Sequence, residues 1–158
     1  MERRLIVPAR LESLEQIGAF IESTLPAMPD RQRRELILAI HELCANIVEH
    51  AYAGAMGHIT LTISRQRGHL TFLIRDSAPN AYTPPDHSTA YNPCDVRERG
   101  WGMLIVQRVI AEVCYRRLPN GNEWRLHTHL NDHAEYRGAV RGKQRLSPEM
   151  LSAQITDP

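Results

Sequence analysis

Between Asp30 and Tyr52 the apolar residues Leu36, Ile37, Ile40, Leu43, Cys44, Ile47, Val48 and Ala51 recur with a helical period. At 3.6 residues per turn they fall on one broad stripe, so the segment is a long helix with one face to bury. Pro29-Asp30 opens it, with Asp30 placed to cap, and Gly54 suits a left-handed C-cap. A one-sided helix of this kind needs a second layer, and the flanking sequence supplies one. His58 to Arg65 alternates, with Ile59, Leu61 and Ile63 on one face. Gln66-Arg67-Gly68-His69 reads as a turn and Leu70 to Arg75 as the returning strand.

The other elements fit the same plan. Arg4 to Val7 is a short strand stopped by Pro8. Leu14, Ile17, Ile21 and Leu25 mark a first helix, with Ser13 as a candidate N-cap and Pro26 as a stop. Gly102 to Glu112 carries a third helical pattern. Val113–Leu118 and Glu123–Leu130 form a hairpin around Pro119-Asn120-Gly121-Asn122, where Asn-Gly supplies positive φ. The order β-α-α-β-β-loop-α-β-β implies an α+β fold, a two-layer α/β sandwich. Its sheet is mixed but mostly antiparallel, with helices on one face. Residues 1–130 make one domain, and the polar stretch 131–158 is a tail of unknown role, mobile or a docking appendage.

Composition bounds the function. The 158 residues are enough to bury roughly 70% of the unfolded surface. Hydrophobic residues at 42% and charged residues at 23% are globular values. A net charge of +1 gives no polyanion-binding surplus, and 6% aromatic residues provide no base-stacking platform, so direct nucleic-acid binding is not expected. Cys44, Cys94 and Cys114 form no C-x-x-C pair and read as reduced thiols of a cytoplasmic protein. No signal peptide and no membrane span are visible.

Three segments can carry chemistry. Glu42, Asn46 and His50, four residues apart, form one row on the long helix, turned away from the apolar stripe. An Asn oxygen is a hard ligand for Mg²⁺, and a carboxylate can orient or deprotonate a nucleophile. From spacing alone the plainer reading is a polar stripe on a solvated helix face, since E-x-x-x-N arises often by chance. Asp76, at a strand end in Arg75-Asp76-Ser77-Ala78-Pro79, can accept a hydrogen bond from an exocyclic amine, or simply make an Asx-turn. Arg99-Gly100-Trp101-Gly102-Met103 places a glycine pair at a helix start, where exposed N–H groups favour an anion. It is neither a Rossmann fingerprint nor a Walker A loop. His127 and His129 share a strand face with His133 following, and they read as surface histidines rather than a metal site.

Taken in order, these segments resemble the N, G1 and G2 boxes of the GHKL ATP-binding superfamily, and most of all its anti-sigma factor serine kinases of the RsbW type. Leu38 to Tyr52, ending His-Ala-Tyr, is similar to the N box, Asp76 to Pro84 to G1, and Arg99 to Val106 to G2. Val113–Arg117 and Gly121–Leu126 resemble the closing hairpin, so the likeness spans Leu5 to Leu130. It implies the GHKL (Bergerat) fold, with ATP and Mg²⁺ as cofactors. It makes Glu42 the catalytic general base or water-orienting carboxylate, Asn46 the Mg²⁺ ligand and Asp76 the adenine acceptor. Ala78, Arg99, Gly100, Gly102 and Met103 join Asn46 and Asp76 as ATP-binding residues. The loop from Asn80 to Arg99 becomes an ATP lid, from which Arg97 or Arg99 reaches a phosphate, and His50 becomes structural. G1 boxes commonly have Gly where Ala78 stands. If that position requires positive φ, alanine costs stability or the loop differs.

The implied function is an ATP-dependent serine/threonine protein kinase that is also an anti-sigma factor. Its partners would be a sigma factor and an anti-anti-sigma protein of the STAS type, and a homodimer through the sheet side stays open. The alternative is a partner-switching module, ATP-binding or nucleotide-free, without kinase activity. A detached histidine-kinase catalytic domain would need a dimerisation helix pair, for which 158 residues leave no room.

Overall fold

The computed structural model describes residues 1–66, 68–82 and 101–130. The alternation read in the central hairpin builds the sheet. In β2 (His58–Gln66) and β3 (His69–Asp76), Leu61 lies opposite Ile74 and Ile63 opposite Phe72, all facing the same side and all buried. β1 (Glu2–Pro8) adds Leu5 and Val7 beside Leu61 and Ile59. Pro8 ends this edge strand, where its missing N–H breaks no ladder. β5 (Gly121–His129) lies on the other side of β3 and sets Trp124 and Leu126 against Ile74 and Phe72. β4 (Glu112–Leu118) closes the far edge, giving the order β1-β2-β3-β5-β4. The fold is α+β, as expected. Every pairing among the described strands is antiparallel, so the parallel element of the expected mixed sheet does not occur there.

The helices cover the apolar face. α1 (Ser13–Thr24) contributes Ile17 and Ile21, α2 (Asp30–Asn46) contributes Leu36, Ala39, Ile40, Leu43 and Cys44, and α3 (Trp101–Val109) contributes Val106. All belong to one core with the inward strand residues. Each large aliphatic side chain buried there contributes about 1.5–3 kcal/mol.

The helix ends differ from expectation. Ser13 is the first residue of α1 rather than its cap, and its buried hydroxyl has no partner. Pro29, with ψ 135°, takes the capping position of α2, which moves Asp30 into the first turn. There Asp30 pairs with Arg33 and complements the helix dipole. α2 continues into a π-helical turn, Ile47–Tyr52. Ala53 ends this turn at φ 48°, one residue before the expected Gly54. α3 stops at Val109 because Glu112 already belongs to β4. The lid residues 83–99, Gly100, Cys94, His133 and the segment 131–158 lie outside the described residues.

Candidate functional site

Glu42 and Asn46 sit one turn apart on the half-buried flank of α2, while Leu43 and Cys44 turn into the core. α3 comes down on this flank at Gly102, its second residue. A β-carbon at Gly102 would lie 2.6 Å from Glu42 Oε2 and 3.3 Å from Asn46 Nδ2. Glycine is therefore what lets the start of α3 rest on the two polar side chains. Met103 follows, half-buried against the core. The row of four-spaced residues stops at Asn46. The π turn widens the helix after it, and His50 is exposed.

Asp76 closes β3. It continues the inward series Leu70, Phe72, Ile74, so the strand period drives a carboxylate into the core side. Oδ1 accepts from the Ala78 N–H at 2.9 Å and from Asn122 Nδ2 at 2.8 Å. Oδ2 is buried with no partner among the described residues. The turn reading of Asp76 is what the Ala78 contact shows. Burial raises the Asp76 pKa, and the hydrogen bonds from Ala78 and Asn122 and the Arg117 charge only partly offset it. Burial, and next the Asp76 carboxylate, push the Cys44 thiol up to about 12. Cys44 is thus a neutral, unreactive wall residue. Ala78 is buried and does not adopt positive φ, so alanine carries no backbone strain there.

Several residues at this site were given no role in it by the sequence, although the positive φ of Gly121 is expected from its turn. Asn122 Oδ1 accepts from the Tyr115 hydroxyl at 2.8 Å and from Arg117 at 3.0 Å. Arg117 also donates to the carbonyls of Ala78, Pro79 and Asn80. Tyr82, Tyr115 and Trp124 pack edge-on against one another, with the Tyr82 N–H on the Tyr115 hydroxyl. Gly121, at φ 143°, passes so near β3 that a β-carbon would fall 1.8 Å from the Asp76 carbonyl oxygen. Only the register Asp76↔Asn122 brings these groups together, and cross-strand register is hard to read from one chain.

His127 and His129 lie elsewhere on the sheet. His127 Nδ1 lies 2.9 Å from the Thr71 hydroxyl, and His129 packs against His69. Among the described residues no group of three His, Cys, Asp or Glu could hold a metal ion, and no helix is long and apolar enough to cross a membrane.

A family model described as a histidine kinase-like ATPase domain matches residues 7–128. The chain belongs to that family. No curated protein matches it. Among solved structures, this histidine kinase-like ATPase domain is similar to the RsbU and RsbW domains of Rv1364c from Mycobacterium tuberculosis. That match has 16% identity and a TM-score of 0.60 over 82% of this chain and 32% of the other. It is also similar to a blue-light activated histidine kinase of Erythrobacter litoralis EL346, at 19% identity and a TM-score of 0.52 over 75% of this chain and 41% of the other. At these identities the likeness is one of fold, and this chain spans less than half of each of those proteins.

Proposed function

We propose that this ATPase domain is an ATP-dependent serine/threonine protein kinase and anti-sigma factor of the cytoplasm. In this reading it holds a sigma factor and phosphorylates a STAS-type anti-anti-sigma partner. The observation that carries the reading is Asp76 Oδ2, a buried carboxylate oxygen with no donor among the described residues, in a chain of the histidine kinase-like ATPase family. An adenine amino group is the donor such an oxygen lacks. Glu42 and Asn46, gathered under the first turn of α3, supply the rest. The Glu42 carboxylate would take the proton of the attacking serine hydroxyl. The Asn46 amide oxygen suits Mg²⁺, which prefers a few protein oxygens beside substrate phosphates. The start of α3, with Gly102 and Met103, would face the phosphates together with Arg99 and Gly100. When bound, ATP supplies the phosphoryl group and Mg²⁺ neutralises its developing charge. A phosphoserine adds about −1.5 to −2 charge at the interface and releases the partner.

The fold likeness to a protein with an RsbW domain supports this choice. The competing reading, a module without phosphotransfer, would gain from an Ala78 that distorts the nucleotide loop, and that position has no positive φ for alanine to strain. The test mixes the purified chain with γ-labelled ATP, Mg²⁺ and a STAS partner. Label should reach a partner serine, and Glu42→Ala should abolish transfer while ATP still binds. ATP binding by the native chain with no label on the partner would remove the kinase reading.

A further inference from the structure

We propose that Arg117, acting through Asn122, is a positioning residue that makes the Asp76 site select a base bearing an amino group over one bearing a carbonyl at the same place. The proposal rests on the nucleotide reading above.

The hydrogen bonds decide which way the Asn122 amide points. Arginine only donates, so the amide atom 3.0 Å from Arg117 Nη1 is the oxygen. The Asn80 carbonyl only accepts, so the atom 3.1 Å from it is the nitrogen. All four hydrogen-bonding positions of this buried amide are then in use. The oxygen takes Tyr115 and Arg117, and the nitrogen gives to Asn80 and Asp76. The Asp76 oxygen facing Asn122 is thereby committed as an acceptor. The same Arg117 fork holds the Ala78, Pro79 and Asn80 carbonyls, and so fixes the segment whose Ala78 N–H binds that oxygen too.

Without Arg117 the amide oxygen loses its donor-only partner, and the Asn80 carbonyl that orients the amide nitrogen loses the guanidinium that holds it, so both restraints on a flip weaken together. Tyr115 can donate or accept and would tolerate either orientation. A flipped amide would set its oxygen against Asp76 Oδ1. That disfavours the ionised carboxylate and its present orientation. Oδ2 would then no longer be a fixed acceptor, and a carbonyl-bearing base such as hypoxanthine would be penalised less. A site built around one buried hydrogen bond discriminates strongly against a ligand that cannot make it. Among the described residues the Cys44 thiol also lies near enough to feel the Asp76 charge, and burial keeps it neutral.

The experiment measures ATP and ITP dissociation constants by calorimetry, and the Asp76 titration by carboxyl NMR in the nucleotide-free protein, for the native chain, Arg117→Met and Arg117→Lys. Native protein should prefer ATP, and Arg117→Met should shrink that preference by roughly tenfold, chiefly by weakening ATP. Its Asp76 should titrate at higher pH. Arg117→Lys, which keeps the charge and one donor, should recover most of the preference. Should Arg117→Met not fold, Tyr115→Phe removes the other donor to the Asn122 oxygen and should shift the ratio the same way by less. ATP and ITP weakening in proportion, an unchanged ratio, or an unmoved Asp76 titration would each overturn the positioning role. Native protein that binds neither nucleotide would instead sink the nucleotide reading and the base selection with it, whereas the Asp76 titration still reports on the Arg117 contact alone.

Discussion

Gly102 and Glu42 are in such close approach that a single methyl group at position 102 would come within 2.6 Å of the Glu42 carboxylate. The atom in the way is the tip of a flexible side chain, so Gly102→Ala displaces Glu42 rather than the helix. Alanine is also the better helix former, by less at this second residue of α3 than the roughly 1 kcal/mol of a helix interior. Stability should therefore hold or rise slightly, while phosphotransfer falls by roughly tenfold or more, as misplaced catalytic groups do. Thermal melts beside transfer assays on the purified variant check both halves.

Tyr52 ties the end of the π turn to the start of the site. Its hydroxyl donates to the His58 carbonyl at 2.7 Å and accepts the Ser77 N–H at 2.9 Å. Tyr52→Phe leaves both backbone groups without that partner, at a cost of about 1–3 kcal/mol. Urea denaturation should show a lower midpoint with an unchanged slope.

Gly121→Ala should be far more damaging than Gly102→Ala. The obstacle at Gly121 is the Asp76 backbone oxygen, which no rotamer change can move. Its φ of 143° is also a conformation that side chains disfavour, by about 1–3 kcal/mol. Denaturation should show a loss of at least about 2 kcal/mol, with nucleotide affinity falling in parallel as Asp76 shifts.

Asp76 and Glu123 should give pH dependences of opposite sign. Asp76 has its pKa raised in the fold, so the native state holds its proton to higher pH than the unfolded chain does. Stability is then lost as pH rises from the unfolded carboxylate value through the folded one. Asp76→Asn should be more stable than the native protein at pH 7, and the gain should shrink in acid. Glu123 lies on the open sheet face, nearly buried beneath Arg75, Arg116 and Arg125. Burial alone would raise its pKa, but the Arg75 hydrogen bond and the Arg116, Arg75 and Arg125 charges outweigh that and lower it. Its contribution is full above the unfolded value and disappears as pH falls through the folded one. The arginines are half exposed, so Glu123→Gln should cost only about 1 kcal/mol at pH 7 and nothing in strong acid. Denaturation at several pH values checks both variants.

What the sequence made legible was local. The stripe from Leu36 to Ala51 and the alternation of Ile59, Leu61 and Ile63 report their own element, because burial on one face has a period. Glu42, Asn46 and Asp76 could be picked out because each sits at a defined place on such an element. α-Helical spacing sets His50 in the row of Glu42 and Asn46, because the π turn that breaks this spacing leaves no mark in the apolar period. The Tyr115, Arg117 and Asn122 network was invisible for a different reason. It exists only once β5 is inserted between β3 and β4 in one register, and nothing in Arg116-Arg117 tells which arginine turns inward. Ser13 and Asp30 were credible caps by residue type, but Glu12 and Pro29 hold those positions, because helix ends are settled by tertiary contact within a residue or two.

The central claim is that Asp76 holds the base while Glu42 serves the chemistry. Titration calorimetry with ATP and Mg²⁺ on the native chain, Asp76→Ala and Glu42→Ala tests it most directly. One ATP should bind per native chain, with affinity weakened by roughly tenfold or more in Asp76→Ala and nearly unchanged in Glu42→Ala. Absence of ATP binding by the native chain, or an equal loss in both variants, would contradict it.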